Sequence, residues 1–226
     1  MKTPVCPSRC RPPRLPGPRR TTGISLIEVL VTVTILGLLL LAVLPSIGNW
    51  MRNIEIRNAA ESIQNGLLKT RAEAVKRNEI ITFSLVSHNS IGQLDGSCRL
   101  SASSGSWIAS KDNPEGKCDV DVSDTLDPKI VARNAAGEGS PNVTVSVKQP
   151  NGTDPCGATA TATSIAFNGF GRIVASPAWT SGPLQCIVVD NTAGSDTRKL
   201  HIVVGTGGTV RMCDPAVTSS TDPRKC

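Results

Sequence analysis

From Ile24 to Leu44 the chain reads ISLIEVLVTVTILGLLLLAVL, 21 residues with a single charge, Glu28. A helix of that length extends about 31 Å, enough to cross the hydrocarbon core of a bilayer. Pro45 follows and is expected to bend or loosen the helix without ending it, because helical patterning resumes at once. Ile47, Met51 and Ile54, then Ile56, Ala60, Ile63, Leu67 and Ala74, recur at three- and four-residue steps. Arg52, Arg57, Glu61, Lys69, Arg71, Glu73 and Arg77 fall largely off that stripe, so the pattern predicts an amphipathic helix. Asn78 is a suitable C-terminal stop. The second half of the stripe is expected to pack on the domain that follows. The first half would be naked in an isolated subunit and is expected to meet neighbouring subunits.

Past Asn78 the period shortens. Residues 80–86 form a short β-branched run, and similar runs occur at 129–132, 143–148, 164–167, 171–175, 186–190, 199–204 and 209–212. Gly-, Ser-, Asn- and Pro-rich turns separate them. The chain is therefore expected to be α+β: a long N-terminal helix, transmembrane in its first half, packed on a C-terminal antiparallel β-sheet domain. Aromatic residues are scarce, with three Trp, three Phe and no Tyr, so the core must be built mainly from Val, Ile, Leu and Ala.

The formal charge of +6 invites a nucleic-acid reading, but its distribution argues against one. Residues 1–23 hold Lys2, Arg9, Arg11, Arg14, Arg19 and Arg20 and no acid. Removing those six from the 24 basic residues leaves 18, against 18 acidic ones. The excess belongs to the segment before the apolar run, where the positive-inside bias keeps it in the cytoplasm and the C-terminal domain outside. Only a local patch could then support nucleic-acid binding. The cysteines divide the same way. Cys6 and Cys10 precede the apolar run, whereas Cys98, Cys118, Cys156, Cys186, Cys213 and Cys226 follow it. Six cysteines in a loop-rich domain point to as many as three disulfides in an oxidising compartment, with fifteen pairings open.

Three readings compete for the apolar segment. A cleaved secretory signal has its small-residue site after the apolar stretch, where 44–48 offers a poor one. A plain signal anchor has no reason to carry Glu28, since an acid in the apolar zone costs about 2.5–3.5 kcal/mol on insertion scales. The third reading accounts for both glycine and acid. Gly23-Ile24-Ser25-Leu26-Ile27-Glu28 resembles the type IV prepilin signature. The resemblance implies cleavage between Gly23 and Ile24 by a prepilin peptidase, N-methylation of Ile24, and a role for Glu28 in subunit assembly. Ile24 stands where the family usually has Phe. Cleavage would leave an ammonium at Ile24 that a neighbouring subunit's Glu28 can neutralise, and that attraction is far stronger in low dielectric than in water. Gly23 lets the peptidase approach the backbone closely. On this reading 1–23 is a leader that is removed, 24–45 the transmembrane helix, 46–78 an amphipathic periplasmic helix and 79–226 a disulfide-containing β domain. The protein is expected in the bacterial inner membrane as a single-pass chain, N-terminus cytoplasmic, and in a filament or at its tip after assembly.

Further matches narrow the family. The run from Leu68 to Asn78, LKTRAEAVKRN, resembles the helix end of the GspH/FimT group. Phe167-Asn168-Gly169-Phe170-Gly171-Arg172 resembles its FNGxGR turn, and Gly207-Gly208-Thr209-Val210-Arg211-Met212-Cys213 its closing strand. The resemblance implies a minor pseudopilin of type II secretion or a minor pilin of type IV pili, with other pilins or pseudopilins as partners. Some members of the group bind DNA during uptake through a Gly-Arg-x-Arg motif on the last strand. Here Gly208 and Arg211 fit, but Thr209 replaces the first arginine. Arg172, Arg198, Lys199 and Arg211, with His201, are the candidate DNA-binding face, although phosphate binding needs clustered charge and scattered solvated charges are favoured. For the disulfides, if 186–190 and 199–213 form a hairpin, Cys186 meets Cys213. Cys98–Cys118 would close the loop around Trp107, leaving Cys156–Cys226.

Other signals carry less. His88 and His201, the only histidines, have no second ligand at metal spacing. Asp119, Asp121, Asp124 and Asp127 cluster without the glycine or closing Glu of a calcium loop and are read as a solvated acidic loop. Cys6 and Cys10 are one residue too far apart for a redox pair. No Ser/His/Asp set, phosphate loop or zinc-helix motif is present, so neither catalysis nor a cofactor is expected.

Overall fold

The computed structural model describes residues 23–87, 92–137, 140–193 and 197–226, the side chains of 42–46 excepted. The leader through Thr22, with Cys6 and Cys10, and His88 lie outside the described residues. The chain forms two compact units, Met1–Leu44 and Pro45–Cys226. Helix α1, Leu26–Arg77, contributes to both over its 52 residues.

In the first unit every described side chain from 23 to 41 is exposed. Leu26, Leu38 and Leu41 show about two-thirds or more of their surface. Among the described residues no helix is long and apolar enough to cross a membrane. The apolar stretch with described side chains, 26–41, is 16 residues, about 24 Å of helix.

The second unit is α+β. Its first sheet has six strands: β1 (Ile81–Ser87), β2 (Arg99–Leu100), β3 (Trp107–Ser110), β4 (Ile130–Asn134), β7 (Ser164–Phe167) and β8 (Ile173–Val174). They run β4-β3-β1-β7-β8, and β2 also pairs with β1. The second sheet has β5 (Val143–Asn151), β6 (Asp154–Thr159), β9 (Cys186–Asn191), β10 (Leu200–Val204) and β11 (Val210–Cys213), in the order β11-β10-β9-β5-β6. All pairings between named strands are antiparallel. Three strands fall outside the predicted runs. β3 follows a Ser- and Gly-rich stretch, β2 is two residues long, and β6 carries Pro155 and Gly157, which read as turn residues.

One core joins the helix to both sheets. Ile56, Ala60, Ile63, Leu67 and Ala74 of α1 meet Ile81, Phe83, Leu85, Ile165 and Phe167 from the first sheet and Val145, Val147, Ile187, Val189, Ile202 and Val204 from the second. Each fully buried Ile, Leu or Phe stabilises the fold by about 1.5–3 kcal/mol. Alternation along β1 sends Ile81, Phe83 and Leu85 toward this core and Thr82, Ser84 and Val86 to the opposite face. That face is covered too: Val86 packs with Ile108, Ile130, Cys98 and Cys118 in a second, smaller cluster. Ser84 is buried there by a hydroxyl bond from Ser164, 2.9 Å.

The helix stops where the sequence says it should. Asn78 takes φ +53°, the left-handed conformation asparagine tolerates. Glu79 N–H then donates to Ala74 O (3.2 Å) and Asn78 N–H to Val75 O (3.3 Å), the paired bonds of a Schellman cap.

Candidate functional site

The N-terminal residues singled out by the sequence lie at the start of α1. Gly23 is exposed, and among the described residues no atom lies within 4 Å of where its Cβ would be. The chain's own packing therefore does not demand glycine there. Ser25 O accepts from Glu28 N–H (3.0 Å) and Val29 N–H (3.2 Å), opening the helix with Glu28 in its first turn. Its position near the positive end of the helix dipole favours an anion. Glu28 is exposed and makes no ion pair among the described residues.

Further along α1 the two apolar runs lie on opposite faces, because the step from Ile54 to Ile56 is two residues, about 200° round the helix. Ile47, Trp50, Met51 and Ile54 are exposed, Trp50 by 65%, whereas Ile56 and every stripe residue after it are buried completely. Beside the exposed part lies a cleft of about 400 Å³ between α1 and the β10–β11 hairpin. Trp50, Ile54, Leu200 and Met212 supply its apolar wall, and Arg57, Arg198 and Arg224 its charge. The sequence reading omitted Trp50, although 47, 50, 51 and 54 follow the i, i+3, i+4, i+7 rule.

The four candidate DNA-binding residues are not gathered into one patch. Arg198 sits in the cleft, its Nη2 donating to Oδ2 of buried Asp214 at 2.7 Å and its backbone N–H to Asn53 Oδ1 at 2.9 Å. Lys199 and Arg211 occupy the outer face of the second sheet. Arg211 lies opposite Val203, and Lys199 is one alternation before His201. Arg211 Nη2 reaches Cys226 O at 3.4 Å. Arg172 is exposed on the β7–β8 turn.

That turn is where the three family-like segments meet. Asn168 Oδ1 accepts from the N–H groups of Phe170 (3.0 Å) and Arg172 (3.1 Å), folding the turn on itself. Arg71, from the helix end, donates from Nε to Gly171 O at 2.9 Å. A Cβ on Gly169 would collide with the Asn78 side chain, and one on Gly208 with Gly171 O. Gly171 and Gly208 have φ +70° and +82°, conformations that favour glycine. The three segments thus form one joint that clamps two strand turns to the helix C-terminus. Phe170 stands out from it, 83% exposed.

The disulfides correct two pairings. Cys98–Cys118 is present, with Cα atoms 6.2 Å apart. Cys186, however, bonds Cys156 (5.6 Å), and Cys213 bonds Cys226 (5.1 Å). The expected Cys186–Cys213 bond is excluded because 199–213 is itself a hairpin. Cys186 faces Val203 and Cys213 faces His201 on opposite sides of β10. Two strand spacings, about 10 Å, exceed what a disulfide spans. Cys156–Cys226 falls with it.

Three carboxylates of the exposed acidic loop meet cations: Asp124 pairs with Arg77 of α1, Asp127 with Lys117, and Asp121 with Arg133 of β4 at 3.6 Å. His201 departs from its expected isolation. Ligand atoms of Cys156, Cys186 and His201, from β6, β9 and β10, lie within 4.8 Å of one another. No linear spacing reveals a set drawn from three strands. Burial pushes the His201 imidazole below its ordinary pKa, and Lys199 acts in the same direction against the weaker pull of Asp154, Asp214 and Asp190.

Residues 18–44 match the model of the prokaryotic N-terminal methylation motif. No curated protein and no solved structure matches the chain. Residues 59–219, which contain the whole joint and both sheets, match the family model described as type II transport protein GspH, and because this match covers well over half of the 226 residues the chain belongs to that type IV pilin-like family.

Proposed function

We propose that this chain is a minor pseudopilin or minor pilin that works by contact within a filament and catalyses no reaction. A prepilin peptidase cuts between Gly23 and Ile24, Ile24 is methylated, and 24–45 holds the subunit in the inner membrane with 46–226 in the periplasm. Assembly then pairs the Ile24 ammonium of one subunit with Glu28 of the next. The observation that carries this reading is the exposed apolar run Ile47, Trp50, Met51 and Ile54 on the face of α1 opposite the buried stripe that begins at Ile56. A monomer gains nothing from Ile47, Trp50, Met51 and Ile54 on its surface, and together they form the kind of patch that marks an interaction site. The match to the methylation motif at 18–44 supports the processing step.

Glu28→Ala is the direct test. The variant is expected to insert in the membrane and be processed normally but to be lost from sheared filaments or cross-linked filament complexes. Normal incorporation would refute the pairing. N-terminal sequencing or intact mass of the membrane-bound form tests the cut, since a chain retaining residues 1–23 beside an active peptidase contradicts it.

A second reading, DNA binding, draws on Lys199, His201 and Arg211 sharing one sheet face. Arg198 is committed to Asp214, which weakens it. Fluorescence anisotropy with labelled duplex at low salt decides between them. The assembly reading expects no affinity that depends on Lys199 and Arg211.

A further inference from the structure

We propose that Cys156, Cys186 and His201 form a zinc site that opens when the Cys156–Cys186 disulfide is reduced. The three side chains project from different strands of the second sheet and converge on its outer face. Register fixes two of them: Cys186 faces Val203, and His201, two residues earlier on β10, lies opposite Val188 of β9. The β5–β6 hairpin brings Cys156 to them, leaving Cys156 8% exposed and Cys186 fully buried. His201 is half-buried, and its Nδ1 is buried without a hydrogen-bond partner among the described atoms. A buried ring nitrogen in that state has a lone pair or a proton with nothing to meet.

The dimensions suit a tetrahedral ion. Zinc–sulfur and zinc–nitrogen bonds of about 2.3 and 2.0 Å put neighbouring ligand atoms roughly 3.3–3.8 Å apart. The three ligand atoms already lie within 4.8 Å of one another, so reduction needs only to let the sulfurs part from bonding distance. Two thiolates and one imidazole are a donor set that selects zinc or cuprous ion over calcium and magnesium. Asp154 is anchored beside the site, its Oδ1 accepting from Cys156 N–H at 2.8 Å, and water or this carboxylate completes the fourth position.

The chemistry balances with a dithiol reductant. Its two thiols give two electrons and two protons to the Cys156–Cys186 bond, yielding two cysteine thiols and the reductant's own disulfide. Zinc then displaces one proton from each thiol to solvent, while His201 donates a ring lone pair. Bound zinc would hold both sulfurs and block re-oxidation. The second sheet would thus carry either a disulfide or a metal staple at the same place.

The test uses the full chain in detergent with Cys6→Ser and Cys10→Ser, reduced by a phosphine and titrated with zinc against a chromophoric chelator. The same chain carrying His201→Gln is the comparison, with circular dichroism of its oxidised form confirming the fold. We expect the reduced chain to bind zinc and the variant to bind more than about tenfold more weakly. Because the other four cysteines can also take zinc once reduced, a second measurement locates the ion. Alkylation of the reduced, zinc-loaded chain, read by peptide mass spectrometry, should show Cys156 and Cys186 protected together and that protection lost in His201→Gln. Zinc affinity unchanged by His201→Gln, or alkylation of Cys156 and Cys186 indifferent to zinc, would overturn the proposal.

Discussion

Gly208 lies so close to the carbonyl oxygen of Gly171 that a single methyl group cannot fit between them. The contact ties the β10–β11 turn to the β7–β8 turn, and Arg71 ties the same carbonyl to the helix through its 2.9 Å bond. One backbone oxygen therefore joins three segments far apart in sequence. Gly208→Ala should cost roughly 2–4 kcal/mol, from the clash and from the +82° φ together. Gly207, the preceding residue, has open space where a Cβ would go, so Gly207→Ala should stay within about 0.5 kcal/mol of wild type. Thermal melts of the two variants in the same detergent make the comparison, and equal melting temperatures would contradict the joint.

A second glycine is needed for a different reason. Gly66 is in mid-helix, where glycine costs about 1 kcal/mol relative to alanine. A Cβ there would come within 2.6–2.8 Å of three atoms of the Trp107 ring. That ring is held on two further sides: it stacks on Phe83 with centroids 5.6 Å apart, and its Nε1 donates to Ser62 Oγ at 3.2 Å. Overpacking of about 1–3 kcal/mol opposes the helix-propensity gain, and a ring fixed on three sides has little room to yield. Gly66→Ala is expected to lower the melting temperature and weaken the near-UV dichroism of the indole. A stabilised variant would mean that the ring moves freely.

The sequence made the outline of this fold legible and hid its joints. The stripe from Ile56 to Ala74 and the stop at Asn78 could be read because helical period and left-handed tolerance are local properties of the chain. The runs at β1, β5, β9 and β10 could be read from β-branched content in the same way. β6 was illegible, since Pro155 and Gly157 mimic a turn. The number of sheets was illegible too, because alternation within a strand does not name its neighbours. The disulfide error has that origin: treating 199–213 as one arm of a hairpin with 186–190 brings Cys186 to Cys213, yet β10 stands between them. At the candidate site, Gly23, Ile24 and Glu28 were visible as a short linear signature. Trp50 was visible in principle through its spacing, whereas the convergence of Cys156, Cys186 and His201 depends wholly on tertiary register.

Acid should loosen the helix end through Glu73. Its carboxyl is held below the ordinary value of 4.5 by the hydrogen bond from Arg77, with Lys76 and the Arg77 charge adding to it against the opposing effect of burial. The Arg77 Nε–Glu73 distance is 2.8 Å. A carboxyl with a lowered folded pKa contributes stability above its unfolded value and loses it as pH falls through the folded one. The window therefore begins near 4.5 and extends downward. Arg77→Gln should remove this part of the acid sensitivity. Between about pH 6 and pH 3.5 wild type is expected to lose on the order of 0.5 kcal/mol more stability than the variant. Identical pH profiles would show that the pair contributes nothing.

The exposed and buried apolar faces of α1 should respond oppositely to the same kind of substitution. Ile54 keeps 37% of its surface exposed, while Ile63 has none. Ile63→Ala removes methyl groups from the core shared by both sheets and should cost about 2–5 kcal/mol, the transfer loss plus the cavity left behind. Met51→Ser and Ile54→Ser remove surface that water already reaches, so the isolated chain should keep its melting temperature within about 0.5 kcal/mol. If that surface is reserved for a neighbouring subunit, the paired substitution must appear only in assembly, as loss of filament incorporation by a folded, membrane-inserted and processed protein. Measuring melting and incorporation on both variants separates folding from contact. Ile63→Ala should fail at both in proportion to its instability, whereas Met51→Ser/Ile54→Ser should fail at incorporation alone. A double variant that assembles like wild type would leave the exposed apolar face without a role.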